Sequence, residues 1–529
     1  MIKKAVYLYL AASLVCTHAH LQAQDQSPFS FGWKKISATT AALTATAAAT
    51  ARAIWSTDYC SAHNGDPRCY WDWQQEPTEE TSFPADFVFG AGTSSFQVEG
   101  DSDNTDWWHW EAECYPDGTP HVQERSAQAC DHWHRYKEDI ALAKKMGLTV
   151  FRFSLAWDKI EPKEGEYNQK AIDHYKDVIA TCKEHGIKPL IGLHHYTDPV
   201  WFAQKGAFEK EENIADFVRF STKMMAEFGH DVWLWATFNS PSGYAFHKYH
   251  LGDFPPGIKG DTQKTIEVYK NLCEAHVQVW QAAQELNKQN GSAIKVGILK
   301  NIMHIDPWRQ WHPMDCNVSR IAEQLQDDAF FSFFTTGTFN GKVTAFGVKQ
   351  LADVVHTNEQ APQSLDFIGV NYYSHSYMKN TNKCNAPFET ATQNETYTIY
   401  PEGMYRAIKK VNERLVQPIK ERIGKDVPIY VTENGIAANN PEDRLTFFKR
   451  YLYAISKAIK EGINVRGYIT WSLLDNYEWR GGTDVKYGLI KVDFANGTLN
   501  RSIKDDAGTA YLMQHALQQR ALQQTSKNV

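Results

Sequence analysis

Eight short apolar runs, most of them followed by a helical pattern, constrain this chain more than any other feature. In order they are Phe87 to Gly92, running into the polar stretch Thr93 to Gln97; Thr149 to Ala156; Lys188 to Tyr196; Trp233-Leu-Trp-Ala-Thr-Phe-Asn-Ser-Pro241; Ile294 to Leu299; Leu365 to Tyr373; Val427 to Asn434; and Val465 to Ser472. β-Branched and aromatic residues fill them, as in buried strands. Between them, apolar residues recur at helical spacing over about 132–146, 169–185, 215–228 and 265–287. The first two helices stop at Gly147 and Gly186, the residue type that closes a helix. Strands alternating with helices predict an α/β fold, a closed parallel (β/α)8 or TIM barrel with helices outside. Segments such as 301–362 are then insertions in strand-to-helix loops. A chain of 529 residues with 43% hydrophobic content can bury such a core as one unit.

A barrel of this kind puts the C-terminal ends of all its strands on one face, and that face carries the chemistry. Gln97, Arg152, His195, Asn239, Ser240, Asn371, Tyr373, Glu433 and Trp471 fall at or near those ends. Singly, Asn239-Ser240-Pro241 reads as a strand cap and turn, His195 as a satisfied buried histidine and Trp471 as a core aromatic. Together they outline a polar, aromatic-edged pocket for a ligand with many hydroxyls. Glu433 is the sharpest candidate, because it closes a strand in Val-Thr-Glu-Asn-Gly and faces the barrel mouth. Arg152 can pair with it as a purely structural partner, but the same pairing keeps a nucleophile ionised, and a hydrogen bond from Tyr373 does likewise. Covalent glycosyl transfer sets such a carboxylate about 5–5.5 Å from a second carboxyl group acting as acid and base.

The motifs from Phe83 to Asp493 resemble glycoside hydrolase family 1, the β-glucosidase and myrosinase group. They are the 87–100 run with Gln97, Phe151-Arg-Phe-Ser154, His194-His195, Thr237-Phe-Asn239 with Pro241, Asn371-Tyr-Tyr373, Val431-Thr-Glu-Asn-Gly435, and Trp471-Ser-Leu-Leu-Asp-Asn-Tyr-Glu-Trp479 followed by Tyr487-Gly-Leu. The resemblance implies a retaining β-glycosidase acting on a small-molecule or oligosaccharide β-glycoside, with Glu433 as nucleophile. It implies that Arg152, Asn371 and Tyr373 support that carboxylate. Gln97, His195, Asn239, Glu478 and Trp479 would bind the glycone hydroxyls over a Trp471 floor. Gln97 and Glu478 suit a gluco- or galacto-configured sugar, and Glu478 disfavours a 6-phosphosugar.

One position departs from the pattern. The family reads Thr-Phe-Asn-Glu-Pro, and this chain reads Thr-Phe-Asn-Ser-Pro, so Ser240 stands where the acid/base glutamate belongs. A serine hydroxyl has no suitable pKa, and general acid–base catalysis is worth roughly 10²–10⁴ in rate. Three readings follow. The chain hydrolyses O- or S-glycosides whose leaving group needs no protonation, with the base supplied by water, an anion or a cofactor. Alternatively Tyr244, His247, His250 or Asp253, in the loop after Ser240, supplies the proton. Alternatively the chain is a sugar-binding pseudoenzyme of the same fold.

The remaining sequence bounds the setting. Lys3 and Lys4 precede an apolar run to Cys16, the shape of a secretory signal peptide over residues 1–23, too short for a stable span. Residues 24–80, with an Ala- and Thr-rich run from Ile36 to Ile54, read as a linker or tether, and 81–525 as the barrel domain. Export would allow disulfides Cys60–Cys69 and Cys114–Cys130, whereas Cys182 and Cys273 read as buried small hydrophobes. Sequons stand at Asn290, Asn317, Asn394, Asn496 and Asn500. A net charge of −7 without basic blocks gives no footprint for nucleic acid. No Cys/His spacing resembles a zinc site, so neither metal nor cofactor is expected.

Overall fold

A computed structural model describes residues 70–380, 382–386, 389–393 and 397–525. The signal peptide, most of the tether, the Cys60–Cys69 pair and Asn394 lie outside the described residues. Eight parallel strands close into a barrel: β1 (Val88–Gly92), β2 (Val150–Ser154), β3 (Lys188–His194), β4 (Leu234–Asn239), β5 (Val296–Asn301), β6 (Ile368–Asn371), β7 (Ile429–Glu433) and β8 (Val465–Trp471). Each pairs with its sequence neighbours, and β8 closes on β1 from Val88↔Gly467 to Gly92↔Trp471. All eight fall within the apolar runs of the sequence to within two residues at the observed ends. Helices α1 (His132–Lys145), α2 (Gln169–Glu184), α3 (Ile214–Phe228) and α4 (Thr262–Asn290) follow the first four strands. In the later half, α5 (Ala329–Thr336), α6 (Pro401–Val411), α7 (Pro441–Lys460) and α8 (Ala507–Thr525) complete the outer layer.

The core has two shells. Val88, Val150, Leu190, Leu234, Ala236, Leu299, Tyr430 and Ile469 fill the lower barrel. A larger cluster, including Trp235, Phe217, Phe238, Ile298 and Phe448, seals strands against helices. Gly147, after α1, has φ +82, and a Cβ there would lie 2.7 Å from the Leu517 backbone nitrogen of α8. Glycine thus both ends α1 and lets α8 close over the first strand.

Two strands break their alternation just below the rim. In β4, Thr237 and Phe238 both face the helices: Thr237 Oγ1 meets His276 Nδ1 of α4 at 2.8 Å, and Phe238 stacks on Phe217 of α3 at 4.7 Å. The register against β5 shifts between Ala236 and Asn239, so Asn239 turns inward. In β7, Val431 pairs with Val370 but Glu433 pairs with Asn371, which skips Thr432. Bulges of this kind re-aim side chains beside functional sites.

Three expectations change. Gln97 lies not in a loop but on a short helix, Ser95–Val98. Cys114 and Cys130 are free thiols: Cys114 is exposed, while Cys130 is buried and its Sγ donates to Asp475 O at 3.1 Å. Residues 70–80, read as the end of a tether, pack on the barrel, where the Trp71 backbone and Trp73 Nε1 donate to Glu402 of α6 at 2.9 and 2.8 Å. Cys182 and Cys273 are buried, as their helical settings suggest. Among the described residues no helix is long and apolar enough to cross a membrane.

Candidate active site

The site is built on Arg152, whose long side chain rises from β2 into the barrel axis at 2% exposure. Its Nη1 donates to Glu433 Oε1 at 2.5 Å and to Thr432 O at 3.2 Å, and its Nη2 donates to Asn239 Oδ1 at 2.9 Å. Tyr373 Oη, two residues past β6, donates to Glu433 Oε2 at 2.8 Å. Both oxygens of the Glu433 carboxylate are therefore held, one by a charge-assisted bond. Asn371 Nδ2 donates to Asn239 Oδ1 at 2.8 Å, and Thr432 Oγ1 donates to Asn371 Oδ1 at 2.7 Å. The two bulges are what bring Asn239, Thr432 and Glu433 to one level.

Asn239 spends its oxygen on Arg152 and Asn371, so its amide nitrogen faces His195, 3.1 Å from Nε2. Burial, then the charges of Arg152 and His194, hold the His195 ring well below the ordinary histidine pKa, so it is neutral at pH 7. His195 stacks beside Trp471 at 5.8 Å. Trp471 forms a floor with the Arg152 guanidinium 5.8 Å from its ring centroid. Gly92 makes room for it, since a Cβ there would sit 3.3 Å from the indole.

Beyond β8 the chain returns over the rim. Trp471 Nε1 donates to Glu478 Oε1 at 3.0 Å. Burial, opposed by the Trp471 hydrogen bond and reinforced by the Glu433 charge, pushes the Glu478 carboxyl up to about 8. Gln97 is tied to the same loop, donating to Tyr477 O at 2.9 Å and Asn476 Oδ1 at 3.2 Å. Trp479 packs against Trp107 at 4.7 Å and Phe254 at 5.7 Å. Every residue singled out from the sequence for the pocket thus lies around one mouth.

Two further side chains reach the same mouth. Tyr196 follows His195 and stands edge-on to Trp479 at 5.8 Å. Tyr397 stacks on Tyr373 at 5.5 Å. Burial and then the charges of Glu478 and Glu433 push the Tyr397 phenol up to about 12, so it stands within electrostatic reach of both carboxyl groups. The adjacency of Tyr196 to His194-His195 was a usable signal, but an aromatic residue after a strand reads equally as core. Tyr397 falls in a stretch that reads as a rim loop, but nothing in the sequence singles it out, because it is far from any barrel strand end.

Ser240 closes β4 at 1% exposure, in a left-handed backbone at φ +52. Its Oγ has no hydrogen-bond partner among the described residues. The residues proposed from sequence to replace its acid are not in a loop. They lie on a helix, Pro241–Phe246, and a π turn, His247–Leu251, with Asp253 just beyond. Tyr244 Oη donates to buried Asp198 at 2.6 Å, beside Lys248. His247 Nδ1 lies 2.9 Å from Asp253, which also meets Arg480 at 3.5 Å, and His250 stacks on Phe246 at 4.9 Å. A separate cavity of about 1030 Å³ lies on the flank, bordered by Trp71, Arg320, Arg406 and Lys410, away from these groups. No cluster of three or more His, Cys, Asp or Glu among the described residues is arranged to hold a metal.

Comparison with known proteins agrees with this architecture. Residues 79–516 match Glycosyl hydrolase family 1. The chain is 30% identical over 443 residues to β-glucosidase A of Thermotoga maritima, covering 80% of this chain and 95% of that protein. It is 30% identical over 480 residues to a 6-phospho-β-galactosidase of Lacticaseibacillus casei, covering 80% and 96%. Among solved structures, a β-glycosidase from Pyrococcus horikoshii matches with a TM-score of 0.69 at 32% identity, covering 83% of this chain and 96% of that one. The family 1 β-glucosidase of Thermotoga maritima matches at 0.71 and 27%, covering 82% and 98%. A match along nearly the whole barrel, on a closed eight-stranded frame, places the chain in glycosyl hydrolase family 1.

Proposed function

We propose that this family member is a retaining β-glycosidase, β-glucosidase-like in its glycone, that forms a glycosyl-enzyme on Glu433 and lacks an ordinary acid/base residue. The observation that carries the reading is the complete support of Glu433 by Arg152 and Tyr373 at the mouth of the barrel. Gln97, His195, Asn239, Glu478 and Trp479 would grip the sugar hydroxyls above Trp471. The Glu433 carboxylate already in the pocket would repel a sugar 6-phosphate, so the phospho-specificity named for the L. casei relative is not carried over. With Ser240 in the acid position, the substrates turned over are O- or S-glycosides whose leaving group departs unprotonated. The N-terminal basic and apolar run supports export.

A second reading, sugar binding without turnover, is favoured by Ser240 alone. One experiment separates them. On 2,4-dinitrophenyl β-glucoside, the enzyme reading expects a burst of dinitrophenolate followed by slow turnover that azide or formate accelerates. Steady binding of a glucose-shaped inhibitor with no burst and no effect of azide establishes the binder.

A further inference from the structure

The flank cavity of about 1030 Å³ is built from elements that take no part in the mouth. Its walls come from the helix Pro313–Glu323, the short strand His304–Pro307, α6 with the π turn after it, Lys457 of α7, and residues 71–76 of the N-terminal approach. Its volume is at the top of the range that small-molecule sites occupy, roughly 300–1,000 Å³. Three ion pairs stand along it. Arg406 donates to both oxygens of Asp306 at 2.9 Å, Arg414 Nη1 to Glu323 Oε1 at 3.0 Å, and Lys457 Nζ to Glu76 Oε2 at 3.2 Å. The guanidinium side chains keep part of their surface open, 26% for Arg406 and 35% for Arg414. Trp71 and Tyr405, which also line the cavity, meet edge to face at 5.4 Å.

Charge decides what such a cavity can take. Among the described residues that line it, six are Lys or Arg and six are Asp or Glu, so their formal charges cancel. Against burial, the Arg406 charge and a hydrogen bond from His375 hold the Asp306 carboxyl well below the ordinary carboxylate range, so that pair is ionised at neutral pH. An incoming anion or cation has to compete with the partner that each ion already holds, and displacing that partner leaves a charge uncompensated. A hydroxyl group meets no such conflict. It accepts from the guanidinium, donates to the neighbouring carboxylate and leaves the pair together. The indole and phenol rings add apolar surface for the C–H face of a sugar ring. The mouth combines the same parts, the Arg152–Glu433 pair beside Trp471. We propose that the flank cavity is a second sugar site, which binds a neutral oligosaccharide through the Arg406–Asp306 and Arg414–Glu323 pairs beside Trp71 and Tyr405.

The flank site binds and does not cleave. Asp306 is held ionised, so it offers no proton to a leaving group. A sugar chain seated there is kept on the protein whether or not the mouth is filled, and its free end stays at a raised local concentration. Residues 71–76 form one wall, so the ligand binds the docked form of that stretch and stabilises its docking by linkage. The inference asks nothing of Glu433 and stands apart from its reading as nucleophile.

The test is hydrogen–deuterium exchange of the full chain, followed peptide by peptide in a mass spectrometer. Cellotriose is added up to about 10 mM, enough to reveal a millimolar site. Exchange is expected to slow in peptides covering 70–76, 303–307 and 403–414, separately from any slowing at the mouth peptides 92–97 and 471–479. Trp71→Leu and Arg406→Gln are each expected to weaken the flank response about 10-fold or more and to leave the mouth response unchanged. Arg406→Gln keeps the Trp73 bond to Glu402 that anchors the N-terminal stretch, so it tests the site even if Trp71→Leu loosens that stretch. Baseline exchange of the barrel strands reports that each variant is folded. No slowing on the flank at the highest cellotriose, a flank response equal in wild type and both variants, or a stronger flank response to inorganic phosphate each overturns the proposal. Labelling of Glu433 by 2-deoxy-2-fluoro-β-glucosyl fluoride runs alongside. If labelling proceeds and the flank is silent, only this inference falls, and if the flank responds without labelling, only the nucleophile reading falls.

Discussion

Glu433 and Ser240 end two barrel strands and are treated oppositely by their neighbours. Glu433 has a partner on each oxygen, and Ser240 Oγ has none among the described residues. Restoring a carboxyl group should therefore matter more than any other single change. Ser240→Glu is expected to raise kcat/KM on methyl or alkyl β-glucosides about 10²–10⁴-fold, the usual worth of general acid catalysis. Arg152→Met removes the cation from a buried pair, so unfolding in urea should show a loss of about 3–5 kcal/mol. Glu478 gives a pH signature. Its carboxyl, ordinarily near 4.5, is raised to about 8 in the folded protein, so the native state binds the extra proton between those values. That contribution to stability is full below about pH 4.5 and is lost as pH rises through about 8. Glu478→Gln is thus expected to flatten the fall in Tm between pH 5 and pH 8.5, and an unchanged slope would contradict the assignment.

Elements, rather than residues, explain why part of the site was hidden from the sequence. The strands, their polar ends and the motif residues were legible because burial on both faces leaves long apolar runs. The inward turn of Asn239 was not, because strict alternation from Ala236 points Phe238 inward, and only the bulge against β5 reverses it. Tyr397 was not legible either, because its position depends on how an insertion folds back over β6. Ser240 sits on an element with its own anchor. Lys248, buried on the π turn, donates at 2.7 Å to Asp198 after β3 and at 2.7 Å to Asp106 on the helix Asp106–Glu111. One ammonium thereby fixes three rim segments. Lys248→Met removes the one cation shared by Asp198 and Asp106, and calorimetry should show a destabilisation of about 3–5 kcal/mol together with weaker binding of glucose-shaped inhibitors.

At the scale of the whole molecule, the barrel is strapped from outside by its N-terminal approach. Trp71 lies against Tyr405 and Tyr453 at 5.4 and 6.1 Å, with Lys457 over its ring at 4.5 Å, and Tyr70 donates to Glu389 at 2.9 Å. A run as short as Tyr70-Trp-Asp-Trp73 shows no periodicity, so its docking could not be read before the fold was known. Removing residues 1–76 should lower Tm by several degrees while leaving the labelling of Glu433 at 25 °C intact, since Trp71 and Trp73 grip α6 and α7 on the outside of the barrel. Loss of labelling at 25 °C would show that the strap shapes the pocket.

The central claim is that Glu433 remains a working nucleophile although Ser240 has replaced its partner. The most direct measurement is mass spectrometry of the protein after incubation with 2-deoxy-2-fluoro-β-glucosyl fluoride, with peptide mapping of the adduct. The account predicts one fluoroglucosyl group on Glu433, absent in Glu433→Gln and released faster when azide is added. An unlabelled protein, with no gain from Ser240→Glu, would contradict it.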